Sequence, residues 1–227
     1  GITCNGCGFI HASRAHLITG TPDFQGAELK GFTAGTGGLR IEGKGLDGQR
    51  VDAVTVLSQA IAINAGLWAK DLSVNLARTA TDGATAGAPN TAPVFALDVA
   101  ALGGMYAGKI WLIGSPHGLG VRNAGSIAAQ TKLTLSLDGI LDNVGRLDAD
   151  QVVVHATEVN NFATGSITGR DVAIGTQRLS NAGHPDAAPL IAADNRLEIG
   201  AKEILNTDQA LIFSAGDIHI GGALDDS

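Results

Sequence analysis

The chain has 227 residues, 32 of them glycine against 6 proline, with 16% charged and 4% aromatic residues and a mean hydropathy of +0.18. Roughly twice the usual glycine with too few ions argues against disorder, and no uncharged apolar run reaches the ~18 residues of a membrane helix. Twenty-two acids against 15 bases give a net charge of −7 with the lysines scattered singly, so neither nucleic-acid binding nor stable membrane insertion is expected.

In chain order, the first feature is Cys4 and Cys7, a C-x-x-C with no second pair to complete a zinc site. In a secreted chain it reads as a local disulfide. In a cytosolic chain it would be a redox pair, which needs a βαβ context that this sequence does not show. Gly1 and Ile2 lead directly into polar and turn residues, so no signal peptide opens the sequence. The stretch from Gly20 to Gly38 reads as an excursion. Short polar and apolar alternations follow at Gly38-Leu-Arg-Ile41 and Asp71-Leu-Ser-Val74. The span from Leu72 to Ile110 suits two coils, one of them around Ile61 and Ile63, and Asp82–Asn90 reads as a flexible loop. A soft boundary falls near Pro116-His117-Gly118, where irregular coils give way to regular ones.

From there the chain repeats. Six segments share one pattern of polar, apolar, variable, apolar, with first apolar residues at Ile110, Leu133, Val152, Val172, Leu197 and Ile218, at intervals of 23, 19, 20, 25 and 21. About five residues before most of them lies a second apolar piece, beginning at Ile127, Leu147, Ile167 and Ile191. About seven residues after them lies a third that ends in asparagine, at Asn143, Asn161, Asn181 and Asn206. Three short period-2 stretches per repeat mean a coil with three faces.

Strands this short gain partners only when each coil stacks on the next at about 4.8 Å in parallel register. The expected fold is therefore all-β, a right-handed single-stranded parallel β-helix with three short strands per coil of about 20 residues and extra-helical excursions. At that repeat, 227 residues make roughly ten coils, around 50 Å long. Leu133 and Leu135, Val152 and Val154, Val172 and Ile174, Leu197 and Ile199, and Ile218 and Ile220 should point inward, with Thr134, Val153, Ala173, Glu198 and His219 outward. Asn123, Asn143, Asn161 and Asn181 recur at intervals of 20, 18 and 20 and suit a turn whose stacked side chains form an amide ladder. A leucine-rich repeat would place its asparagine three residues after L-x-L, whereas Leu137 precedes Asn143 by six.

Several segments resemble a known family. Gly1-Ile-Thr-Cys-Asn-Gly-Cys-Gly-Phe-Ile10 is similar to the segment that follows Asn-Pro-Asn in the secretion domain of two-partner secretion exoproteins. Ser58–Ala69, Ala96–Ala107 and Gly216–Leu224 resemble the filamentous haemagglutinin and contact-dependent growth inhibition branch. The resemblance implies the carboxyl-terminal part of a two-partner secretion (TPS) domain over 1–117 and the first haemagglutinin-type β-helix repeats over 118–227. It implies a secretion module and rigid stalk of an adhesin or toxin-delivery protein, secreted through periplasm and outer membrane to the cell surface. The partner it implies is an Omp85-family transporter, TpsB, with a surface receptor on a host or neighbouring cell as a further one. Gly1 and Ile2 would be the remnant of the secretion motif, with Cys4 and Cys7 the matching cysteine pair. The sequence starts inside that motif, so a fragment of a much longer protein is expected.

Parallel β-helices also carry pectin-cleaving enzymes, whose sites need clustered carboxylates beside a base. Asp148, Asp150 and Asp171 lie near neighbouring corners, where solvated acids are the plain reading. The six histidines include no H-x-x-x-H, Ser115-Pro-His-Gly is no nucleophile elbow, and Gly118-Leu-Gly-Val-Arg-Asn lacks the third glycine of a dinucleotide loop. Trp68, Tyr106 and Trp111 would make a sugar strip only on a shared face, and packing under an excursion is the preferred reading. No catalytic, metal or cofactor-binding residue is expected. The alternatives are a carbohydrate-active lyase or hydrolase, or a haemolysin exported by the same route; Leu102-Gly-Gly-Met-Tyr106 resembles the adhesin branch instead.

Overall fold

The computed structural model describes residues 1–35, 37–76, 95–114 and 120–222. Asp82–Asn90 and Pro116-His117-Gly118 lie outside the described residues. Strands account for nearly all regular structure, and among the described residues no helix is long and apolar enough to cross a membrane.

The chain winds as a three-faced parallel β-helix. Among the described residues, every face is a column of parallel strands nine levels deep. The first face runs from Ile2–Cys4 through Gly38–Ile41, Ala60–Ile63, Phe95–Val99, Gly120–Asn123 and Ile140–Asn143, then onward through positions 158–161, 178–181 and 203–206. The second face stacks Cys7, Leu46, Leu67, Met105, Ile127, Leu147, Ile167, Ile191 and Ile212. The third stacks Ala15, Val54, Leu72, Ile110, Leu133, Val152, Val172, Leu197 and Ile218. Seven of the nine levels have a neighbour on both sides. Eight steps of about 4.8 Å make the stack about 38 Å long.

Alternation sorts the side chains. Leu133, Leu135, Val152, Val154, Ile174 and Leu197 are fully buried, and Val172 and Ile199 nearly so. Each contributes roughly 1.5–3 kcal/mol by leaving water. Ile218 and Ile220 differ from the expectation: they are 45% and 56% exposed. They belong to the ninth level, on which nothing described is stacked, so an inward orientation does not bury them.

Three further expectations are corrected. Leu72 pairs directly with Ile110, so one step of the stack, not two coils, joins them, with Phe95–Val99 and positions 104–107 on the first and second faces of the later level. Ile61 and Ile63 lie on the first face, against Leu97 and Val99. Gly38–Ile41 also lies on the first face, whereas Asp71–Val74 lies on the third; the third-face partners that the pattern did not reveal are Arg14–Ile18 and Ala53–Ser58. The described residues make nine levels, and the hairpin of Gly20–Gln25 and Glu28–Ala34 uses chain without adding one.

The first excursion is an antiparallel hairpin, Gly20–Gln25 with Glu28–Ala34. Its neck is held by a buried polar contact, in which Thr19 Oγ1 donates to Ser58 Oγ at 2.8 Å, while Ser58 Oγ lies 2.9 Å from the Ala60 carbonyl. Burying two hydroxyls is tolerable because both are bonded. Later levels lose their separate strands: Arg146–Phe162, Ser166–Ala182 and Leu190–Thr207 each run unbroken around all three faces. The ladder is also continuous past the segment around His117, since Leu97 pairs with Val121 and Ile110 with Leu133.

Candidate functional site

The corner between the first and second faces holds most of the singled-out residues. At the first level Cys4 and Cys7 are joined by a disulfide, with their Cα atoms 5.3 Å apart. Gly6 makes the intervening turn at φ 79°, which an L side chain rarely adopts. The Gly6 and Cys7 amides both donate to the Gly45 carbonyl, at 2.9 and 3.1 Å, and Glu42 N–H donates to the Cys4 carbonyl at 2.9 Å. These backbone bonds tie the disulfide corner of the first level to the second.

Cys4 heads an inward column that continues Ile41, Ile63, Val99, Asn123, Asn143, Asn161, Asn181 and Asn206. Asn123, Asn143, Asn161 and Asn181 are completely buried. Each Nδ2 donates to the next Oδ1, at 2.8, 2.8, 2.8 and 2.7 Å, ending at Asn206. Each also reaches the backbone of the following level, at the carbonyls of Arg146, Ser166, Leu190 and Leu211. All amides point the same way, so the ladder has a donor end and an acceptor end. Its acceptor end is Asn123 Oδ1, buried over Val99, with no partner among the described residues. Asn206, a member of this ladder, was visible in sequence only as the end of a third apolar piece. Beside the ladder the backbone is too close for side chains: a Cβ on Gly125 or Gly145 would sit inside the carbonyl oxygen of Gly103 or Gly125.

Replacing both Cys4 and Cys7 with serine removes a four-residue loop closure worth about 2 kcal/mol in the chain-entropy account. The loss should be local, because a solenoid level touches only its neighbours. Hydrogen exchange should accelerate in the first two levels and stay unchanged beyond Arg146. Two free thiols by titration of the unreduced, oxidatively folded protein would contradict the disulfide.

On the outer side of the first face, next to Gly1 and Ile2, lies a trough of about 730 Å³. The columns Gly1, Gly38, Ala60 and Thr3, Arg40, Ala62 floor it, mostly with small side chains. Gly1 packs tightly, since a Cβ there would lie 2.8 Å from the Gly38 carbonyl oxygen. The far wall is Asp98 and Phe95 with Arg122, which forks onto Asp98 at 2.9 and 2.6 Å and lies 5.5 Å over the Phe95 ring. The Asp98 hydrogen bond and charge raise the Arg122 guanidinium above its ordinary range. The trough is open, lined by backbone and one clamped ion pair, with Arg40 at its near side making no ion pair among the described residues. Such a surface suits an extended polypeptide better than a small molecule.

The three corner acids lie away from the trough. Asp148 accepts from Thr168 at 2.6 Å and pairs with Arg146, Asp150 pairs with Arg170, and Asp171 pairs with Arg170 and accepts from Asn195 at 2.5 Å. Among the described residues no three His, Cys, Asp or Glu side chains are grouped to hold a metal ion. Trp68 and Tyr106 do share a face, contrary to expectation: they pair in register, 6.2 Å apart and 17° from parallel, each ring folded down over the glycine two residues before it. Trp111 stands apart from them on the third face.

A family model described as the TPS secretion domain matches residues 1–143. The toxin CdiA of Yersinia pestis is 42% identical over 66% of the chain, and the 16S rRNA endonuclease CdiA of Enterobacter cloacae is 35% identical over 96% of it. A tRNA nuclease CdiA of Yersinia mollaretii is 33% identical over 99%. The matched segment amounts to 5%, 6% and 8% of those three proteins, respectively. No solved structure matches the chain.

Proposed function

This chain belongs to the TPS secretion domain family, and on that premise we propose that it is the secretion module and rigid β-helical stalk of an adhesin or contact-dependent-inhibition toxin-delivery protein. It passes through the periplasm and a TpsB transporter of the Omp85 family to the cell surface, where the full protein meets a receptor on another cell. Residues 1–117 are the carboxyl-terminal part of the TPS domain and 118–227 the first haemagglutinin-type repeats, one solenoid serving both. These residues are not enzymatic; any nuclease activity of the kind named for the relatives lies elsewhere in the longer protein. The observation that carries the reading is the family match over residues 1–143, which covers the disulfide, the trough and the first five levels.

Gly1 and Ile2 are the remnant of the recognition motif, and the trough beside them is where the transporter's periplasmic side makes contact. Stepwise addition of coils to an existing template, each gaining nearest-neighbour energy, then helps to draw the chain outward. The test is export from cells with and without the transporter. Transporter-dependent release is expected, reduced severalfold by Ala62→Trp, which fills the trough floor without touching the core. Release independent of the transporter overturns the export reading; full release of the Ala62→Trp chain removes the trough from it.

A further inference from the structure

The outer side of the third face carries a feature that secretion does not require. Its middle column reads His16, Thr55, Ser73, Trp111, Thr134, Val153, so the Trp111 indole rises beside two small hydroxyl residues and walls an apolar groove over Val54 and Leu72. Trp111 is 56% exposed. In the neighbouring column Lys109 stands directly opposite Lys132 on the next level. Like charges opposite one another in a ladder are destabilising. Among the described residues the ion pairs fall to Lys30, Lys70 and five arginines, and to neither Lys109 nor Lys132. Asp71, opposite Lys109 on the other side, is not paired with it either. The groove thus holds Lys109, Lys132 and the single carboxylate of Asp71, so on a chain of net charge −7 two adjacent cations outnumber the one acid beside an exposed indole and can take an anion.

We propose that this groove binds an acidic polysaccharide through a uronate residue. The pyranose ring stacks its apolar C–H face on Trp111, as rings of that shape do on an indole. Its carboxylate bridges the Lys109 and Lys132 ammonium groups, whose backbones are one strand spacing of about 4.8 Å apart. Thr55, Ser73 and Thr134 supply hydroxyls along the groove for the neighbouring sugars. The site lies on a different face from the trough and is independent of the export reading.

The test uses trigalacturonate as probe, titrated against the purified chain while the Trp111 indole N–H is followed by NMR, with trigalactose and inorganic phosphate as controls. Saturable binding of trigalacturonate is expected, with a shift of the Trp111 resonance, and roughly tenfold weaker binding of trigalactose. Trp111→Ala, and separately Lys109→Gln with Lys132→Gln, should each weaken trigalacturonate at least about tenfold. All three side chains point outward, so the circular dichroism of these variants should match the parent, and the Lys109→Gln, Lys132→Gln chain should melt no lower than it, since the opposed charges are gone. No saturable binding, equal affinity for trigalactose, or undiminished binding by Trp111→Ala overturns the proposal. So does phosphate competing as strongly as trigalacturonate, which would reduce the site to a pair of lysines.

Discussion

Val152→Asp is expected to prevent stable folding of the middle of the solenoid, whereas Val153→Asp, one residue on, is expected to be tolerated. Val152 is completely buried between Leu133 and Val172. A carboxylate there would lose its hydration with no cation in reach and would remain uncharged or unfold its surroundings, a cost of several kcal/mol. Val153 faces outward beside Thr134 and Ala173, and a polar change at such a site usually stays within about 0.5 kcal/mol. Since each level supports the next, the Val152→Asp chain should show protease-sensitive levels around Leu133 and Val172 while the first levels stay protected. It should also stall during export, with its amino-terminal part outside the cell. Equal stability of the two variants by denaturant titration, or normal export of Val152→Asp, would remove the inward stripe from the account of both folding and secretion.

The second large effect is expected at the amide ladder. Asn161→Ala deletes the donor to Asn181 Oδ1 and to the Leu190 carbonyl, and removes the acceptor for Asn143 Nδ2. Asn143 keeps bonds to the Gly145 and Ser166 carbonyls, so its loss is partial. Asn181 Oδ1 becomes a second buried acceptor like Asn123 Oδ1. At about 1–3 kcal/mol for each buried group left unmade, the total should be about 2–4 kcal/mol. Asn160→Ala, adjacent but outward, gives up a bond to Asp142 beside solvent and should cost about 1 kcal/mol or less. The two variants compared in the same denaturant series separate a ladder that holds the corner from an asparagine that merely occupies it; equal loss for both would refute the ladder's energetic role.

The regular half of the chain was legible because its spacing varies little. From Leu133 to Leu197 the intervals of 19, 20 and 25 bring apolar pairs of the same parity into line, and parity is all that decides inside from outside on a strand. The first hundred residues were not legible in that way. Gly38-Leu-Arg-Ile41 and Asp71-Leu-Ser-Val74 share one pattern yet occupy different faces, because period 2 says which side of a strand a residue takes and nothing about which face the strand belongs to. Spacing misled as well, since Leu72 and Ile110, separated in sequence by almost two ordinary repeats, are neighbours. The Lys109 and Lys132 pair, the trough beside Gly1 and the stacked Trp68 and Tyr106 were invisible for the same reason: each joins residues from different coils whose juxtaposition exists only once the register between levels is set.

By itself, then, the order of residues determined a coiled stack of short parallel strands, its aliphatic interior, its asparagine corner and its resemblance to secreted surface fibres, since all of these follow from local alternation, a steady repeat and recognisable segments. The tertiary structure alone decided that the described stack is nine levels high, that the amides all point one way and leave Asn123 Oδ1 without a partner among the described residues, and that Ile218 and Ile220 stay half exposed. Those outcomes depend on what lies one level above and below each residue, and that is a property of stacking which no local pattern encodes.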